Sequence, residues 1–471
     1  MRETVKMTKL KSNQKGITLI ALVITIIVLL ILAGVAISML SGENGILKQA
    51  AEAKTRTEEQ STIELIKLGA LAAMTNPSHS IQSEGDLETA LGQQGLDNVN
   101  VNPIEGGYKV TVNGITQIIS NNGNIRNASE VEKNQGKVLN QNGNTPVKDE
   151  YGNTIMVPAG FAITKDASKV EEGIVITDKV DENGNSTGNE FVWIPVNDVK
   201  TSKGTKTVTL GRYTWSGSTG TPVQTVTTEE QAETEALKAK TETIVANSSY
   251  YEVTADNATY PQSTYGNARA KKLEDFLKSS VNNGGYYIAR YEAGIDGTKD
   301  NYSLSTKTAV SGTVKPQSKK GLGLWNYIKQ TDASTVSQAM YTSDYFESDL
   351  INSYAWDTAI IFIQKMTDDL SYASMPGESA IDTSAPKTTG TNILKENEKV
   401  DEICNIYDMA GNVNEWSTET QSTSALPCTR RGGIFDWDGI YACTRVLGMS
   451  NSAAETVGFR PLLYVGLDSD S

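Results

Sequence analysis

The chain has 471 residues, 38% of them apolar and 21% charged, with 40 Gly, 12 Pro, 3 Cys and one His, a length that allows about two to four domains. Lys+Arg 42 against Asp+Glu 56 leaves −14; the first sixteen residues (Arg2, Glu3, Lys6, Lys9, Lys11, Lys15) net +4, so the rest carries −18, an acidic body that repels phosphate backbones and argues against nucleic acid as a partner. With His79 alone no His-pair metal site can form, and Cys404, Cys428 and Cys443 contain no C-x-x-C pair, so zinc ribbons are out and at most one internal disulfide remains, by any of three pairings.

In chain order, Gly16 to Gly42 carries no charge, and residues 17–40 form a continuous apolar run of bilayer-spanning length. Residues 43–74 continue as an amphipathic helix with Ile46, Ala50, Ala53, Ile63, Ile66 and Leu68 near helical spacing. His79 lies in the polar run Asn76 to Ser80, which reads as a surface loop. A helix over LETALGQQGL and two alternating strands, Tyr108 to Val112 and Ile115 to Ile119, follow, joined by Asn113-Gly114, a strong hairpin signal. Asn127 to Asp149 is Asn/Gly-rich and reads as a linker.

Lys15-Gly16-Ile17-Thr18-Leu19-Ile20 resembles the leader junction of type IV prepilins. That resemblance implies cleavage between Gly16 and Ile17 by a prepilin peptidase, one continuous helix half in lipid and half on a small head, contact with other pilins, and a bacterial cell surface or pilus location. Ala21 stands where the family has Glu, which fits a tip or minor subunit, or membrane retention. The basic leader on the cytoplasmic side agrees with the positive-inside bias.

Beyond Glu150 the pattern changes to short β-like runs between Gly/Asn/Asp/Ser turns, with all six Trp and a long polar insertion over residues 201–243. Asp181 to Asn185 reads as a hairpin tip, lacking the remainder of an EF-hand spacing. Trp193, Trp356 and Trp416 are expected to be buried, Gly411 and Gly458 to allow close turns, and Trp356-Asp357 to open a helix through Ile360, Ile361 and Ile363. EFVWIPV, GGYYIARYEAG, SYAWDTAIIFIQKM, YDMAGNVNEW, RGG and GFRPLL (Glu190 to Leu463) occur in the order seen in the formylglycine-generating enzyme (sulfatase-modifying factor) domain. The resemblance implies a C-type-lectin-like fold. The expected architecture is α+β: a leader (1–16), a long pilin helix (17–74), a small head with an antiparallel sheet (75–126), a linker (127–150) and a large loop-rich lectin-like domain (151–471).

In those enzymes two Cys after the RGG bind copper and oxidise a thiol; the matching positions here are Trp437 and Ala442, with Cys443 one place off. A soft metal needs the thiolate pair, so the expectation is binding without catalysis and no certain cofactor. The resemblance also implies a calcium site from the Glu415 carboxylate with the carbonyls of Gly411 and Val413; pairing of Glu415 with Arg460 is the other reading.

Between the last two motifs, Ile434 to Val457 lacks periodicity and mixes aromatics with Asp, Gly and small polar residues, the composition of a paratope. A lectin-like domain ending in RGG and GFRPLL resembles the variable proteins of diversity-generating retroelements, which implies a changeable ligand surface here. Ile434, Asp436, Trp437, Asp438, Ile440, Tyr441, Thr444 and Asn451, with Phe435, are the expected ligand-binding patch, and the alternative for the aromatics is core filling. The ligand would be a protein or a glycan. An oxidase of the formylglycine-generating type and a structural pilus subunit with a spacer domain are the competing readings.

Overall fold

The computed structural model describes residues 19–41, 45–241, 250–295, 314–375, 387–393, 399–421, 425–437 and 439–466. The leader, the Gly16–Ile17 junction and Asp438 lie outside the described residues. The chain divides into two compact units, Met1–Ala128 and Ser129–Ser471, and its architecture is α+β, with many small antiparallel sheets.

The first unit opens with a helix over Leu19–Ser41, in which the described side chains from Leu22 to Val35 are all exposed. Over the described residues no helix is long and apolar enough to cross a membrane, and the described side chains stop short of both ends of the expected 17–40 span. A second helix covers Ile46–Ala73, preceded by Gly45 in extended conformation (φ −70°, ψ 150°). The expected single helix is therefore two. Gly45 accounts for the break at the start of the second helix, since a glycine costs about 1 kcal/mol in a helix interior.

Ser83 caps the helix Glu84–Gln93 by accepting from the Asp86 N–H at 3.1 Å. It packs beside a four-stranded antiparallel sheet of Asn100–Ile104, Gly107–Val112, Ile115–Ser120 and Ile125–Asn127. Asn113 (φ 50°) and Gly114 (φ 80°) make the expected two-residue hairpin turn, because both central positions of such a turn need positive φ. Ile66, Ala70, Leu87, Leu91, Val110 and Ile119 form the core of this unit. His79 sits exposed in a loop.

The stretch expected as a linker (127–150) belongs to the second unit, apart from Asn127 and Ala128, which end the first. Ser129 and Glu132 form a reciprocal capping box for the helix Glu130–Asn134, and Thr145–Lys148 pairs with Thr154–Val157. Val131 and Val147 enter the main core. Two apolar anchors and one box order a segment whose Asn/Gly content suggested none. Over its described residues, 201–241, the polar insertion is likewise ordered, with strands Gly204–Val208, Leu210–Ser216 and Thr219–Val226 and the helix Glu229–Thr241. Asp181 is a turn residue, its Oδ1 accepting from the Asn183 and Asn185 N–H groups.

Two sheets organise this unit. One is a six-stranded antiparallel sheet in the order Phe346–Leu350, Pro461–Val465, Gly285–Ala289, Glu190–Pro195, Val175–Thr177, Ala162–Ile163. The other runs Tyr250–Tyr251, Asn414–Gln421, Cys428–Arg431, Arg445–Gly448, with Val457–Phe459 parallel to Asn414–Gln421. Between the elements runs the helix Ser353–Thr367, capped by the Asn352 side chain on the Ala355 N–H at 2.9 Å and buried along almost its whole length. Trp193, Trp325, Trp356 and Trp416 are fully buried. The separated sequence motifs thus meet: EFVWIPV and GGYYIAR are neighbouring strands with Tyr287 opposite Trp193, and GFRPLL supplies one strand to each sheet.

Candidate ligand-binding loop and its buried frame

The strands Cys428–Arg431 and Arg445–Gly448 are antiparallel neighbours with Arg431 opposite Arg445, so the residues between them leave and re-enter the sheet at one place. Both stem arginines point at the same two buried carboxylates. Arg431 bonds Asp357 Oδ1 and Glu419 Oε2 (3.1 Å), and Arg445 bonds Asp357 Oδ2 (2.7 Å) and Glu419 Oε1 (3.0 Å). Arg212 adds a third guanidinium to Glu419 at 2.7 Å. Burial pushes the Glu419 carboxyl up, yet Arg445, Arg431 and Arg212 together overrule it and hold it at about 2. Such charge-assisted forks are strong and directional, and here they fix both ends of the loop to the helix Ser353–Thr367 and the strand Asn414–Gln421.

Further bonds fix the loop from below. Trp356 Nε1 donates to the Ala442 carbonyl at 2.9 Å, the Cys443 N–H to the Ala373 carbonyl at 3.1 Å, and the Phe435 N–H to the Asn412 carbonyl at 2.9 Å. Asn414 Nδ2 donates to the Gly432 carbonyl at 2.6 Å. Gly432 has φ +81°, and a Cβ there would lie 2.9 Å from the Met409 carbonyl oxygen, so a side chain is excluded twice over. The turn that receives these bonds is itself braced: Glu292 accepts from the Val413 N–H at 3.2 Å and from Asn412 Nδ2, and Asp401 accepts from the Ala410 N–H at 3.2 Å.

Burial then splits the expected patch. Trp437 is 58% exposed and Tyr441 38% exposed, and Asp436 and Asn451 are exposed, while Thr444 is half-buried. The indole of Trp437 lies over Gly439, whose Cβ would be 2.9 Å from Nε1, so a side chain at 439 would displace it. Thr444 Oγ1 accepts from the Tyr441 N–H at 2.8 Å and the Thr444 N–H donates back to the Tyr441 carbonyl at 2.8 Å, which closes a tight turn under the tyrosine. Ile434 (8% exposed), Ile440 (5%) and Phe435 (3%) do not face solvent as expected. They are the floor of the loop: Phe435 packs with Leu324 and Val413. A loop of mixed composition needs apolar anchors to hold one conformation, and these three supply them. Met449, 49% exposed, is a nearby apolar residue in the chain that sequence reasoning passed over.

The calcium expectation at Glu415, Gly411 and Val413 does not fit. Both Glu415 oxygens accept from Arg460, Oε1 from Nη2 at 2.6 Å and Oε2 from Nε at 2.9 Å, in a fully buried pair. Arg460 also donates to the Ala289 and Tyr407 carbonyls at 2.8 and 2.7 Å. Burial raises the Glu415 carboxyl and Arg460 opposes that rise. Among the described residues no group of three or more His, Cys, Asp or Glu side chains is placed to hold a metal.

The three cysteines are free. Burial pushes the Cys404 and Cys428 thiols up to about 12 and raises that of Cys443, the reverse of what an attacking or metal-binding thiolate needs. Ala442, at the second enzyme-cysteine position, is fully buried, and Trp437, at the first, is on the surface. Sequence reasoning missed the frame of Asp357, Glu419, Arg431 and Arg445; its only signals were that Asp357 follows the motif tryptophan Trp356 and that Arg431 opens the RGG.

No family model matches the chain and no curated protein does. Among solved structures the chain is similar to CarF, with 14% identity, a TM-score of 0.27, and 39% of this chain and 87% of that chain covered. It is also similar to Treponema denticola variable protein 1, with 12% identity, a TM-score of 0.22, and 59% of this chain and 96% of that chain covered.

Proposed function

We propose that the second unit is a ligand-binding module whose contact surface is the crest of the Arg431–Arg445 loop, with Asp436, Trp437, Tyr441 and Thr444, flanked by Asn451. The observation that carries this reading is the pair of exposed aromatics on a loop whose two stems grip the same buried carboxylates. Exposed Trp and Tyr on a rigid base are the residues that dominate recognition energies, because they bring large contact area at small entropic cost. The sequence likeness to retroelement variable proteins supports reading the crest as the varied surface, with the anchors Ile434, Phe435 and Ile440 held constant. We read the module as a binder and not as an oxidase, on the replacement of the enzyme cysteines by Trp437 and Ala442.

The prepilin-like leader and the apolar 17–40 run support membrane insertion, processing by a prepilin peptidase and display at a bacterial surface, with the first unit as anchor or pilus subunit. The full chain in liposomes, tested against immobilised glycans and cell-surface proteins, is expected to bind a defined target. Glycine–serine replacement of Asp436, Trp437 and Tyr441 should abolish that binding; retention would contradict the reading. The mature N-terminus by mass spectrometry should be Ile17, and an intact Met1 would remove the leader assignment.

A further inference from the structure

We propose that Glu252 is a pH-responsive latch beside the loop: its protonated form holds, and its ionisation loosens, the strand Tyr250–Tyr251 together with the Arg445 stem.

The geometry is that of an acid short of counter-charge. Glu252 is buried, and its two oxygens accept from the Ser353 N–H at 2.7 Å and the Thr418 hydroxyl at 3.1 Å. Among the described residues it makes no ion pair. The charged and titratable groups facing it come from four elements: Glu419 on the strand Asn414–Gln421, Arg212 on Leu210–Ser216, Arg269 before the helix Leu273–Asn282, and Tyr354 on Ser353–Thr367. Arg212 is already spent, on Ser353 Oγ (2.8 Å), Gln224 Oε1 (3.0 Å), the Tyr250 carbonyl (2.7 Å) and Glu419 (2.7 Å). Arg269 donates to the Tyr260 carbonyl at 3.2 Å, and among the described residues its Nε and Nη1 have no hydrogen-bond partner, Glu252 included. Glu419, held ionised by its three arginines, repels a second negative charge next to it. Burial first and Glu419 second push Glu252 up to about 7, against the Ser353 N–H and Arg212.

The mechanical link is short. Glu252 directly follows the two-residue strand that forms the sheet edge, with Tyr250 opposite Gln421 and Tyr251 opposite Thr420. The Tyr250 hydroxyl donates to the Arg445 carbonyl at 3.3 Å, and the Arg445 guanidinium stands 5.7 Å over the Tyr250 ring. Charging Glu252 therefore stresses a strand that touches one stem of the loop. Because its folded value lies above the ordinary carboxylate range, the proton is held more tightly in the fold; the stability it contributes is complete below that range and is lost as pH rises through about 7.

Asp349 and Asp401, each raised to about 6 by burial, also tilt global stability with pH, so the readout is local. The protection of the amides of residues 250–252 and 444–446 in the detergent-solubilised full chain, with exchange rates taken relative to the intrinsic base-catalysed rate at each pH, should fall about tenfold together between roughly pH 6 and 8, as a local opening coupled to one proton would. In Glu252→Gln, which keeps the neutral shape, that loss of protection disappears. In Thr418→Val, which removes a donor to the charged form, the midpoint moves to higher pH. An unchanged pH response in Glu252→Gln, or an unmoved midpoint in Thr418→Val should the first variant fail to fold, overturns the proposal.

Discussion

The floor and the crest of the Arg431–Arg445 loop obey different physics. The floor is Ile434, Phe435, Ile440 and Ala442 on a frame of Asp357, Glu419, Arg431 and Arg445, all removed from water or nearly so; any change there leaves a cavity or an unpaired charge. The crest is Asp436, Trp437, Tyr441 and Thr444, held by the Tyr441–Thr444 turn and by Gly439 beneath the Trp437 indole. In this loop stability resides in one set of side chains and recognition, as proposed, in another, so the surface can change without disturbing the fold.

Substitutions can break that comparison in graded steps. Glu419→Ala leaves Arg212 without a carboxylate and Arg431 and Arg445 with Asp357 alone, and its unfolding free energy by denaturant titration should drop by about 3–5 kcal/mol, the cost of breaking a buried pair from one side. Phe435→Ala and Ile440→Ala each open a buried cavity, with an expected loss of about 2–4 kcal/mol. Gly432→Ala forces a Cβ against the Met409 carbonyl at positive φ and should cost about 1–3 kcal/mol in the same titration. At the small end, Trp437→Ala and Tyr441→Ala are expected to stay within about 0.5 kcal/mol of the parent.

Acid probes the frame by a different route. The folded value of Glu419 lies below the ordinary carboxylate range, so its contribution is present above that range and is lost as pH falls through about 2. Melting at graded pH should show the Glu419→Gln variant losing less stability between roughly pH 4.5 and 2 than the parent. An equal acid response would mean that the three arginines are not held through this carboxylate.

Much of this was legible in the sequence, for reasons that differ by element. Asn113-Gly114 specified its hairpin because only a few residues accept positive φ twice in succession. The helix from Ser353 showed itself by apolar spacing and Trp356, and the break at Gly45 was concealed by apolar periodicity on either side of it. Residues 127–150 read as a linker because the order beyond Ser129 rests on two valines and one capping box, too few signals to rise above the asparagines and glycines around them. In the loop, composition could not separate floor from crest: Ile434 and Ile440 are buried, and Phe435 packs against Leu324 and Val413, which lie in other segments of the chain. The frame was invisible for the same reason, since Asp357, Glu419, Arg431 and Arg445 come from four separate segments and carry no spacing rule.

The separation of stability from recognition is tested most directly by one paired measurement on the Trp437→Ala/Tyr441→Ala chain: its unfolding free energy and its binding to the target identified for the parent. We expect stability within about 1 kcal/mol of the parent and binding weakened at least about tenfold. Stability lost in step with binding, or binding left intact, would contradict the division of the loop into a structural floor and a recognising crest.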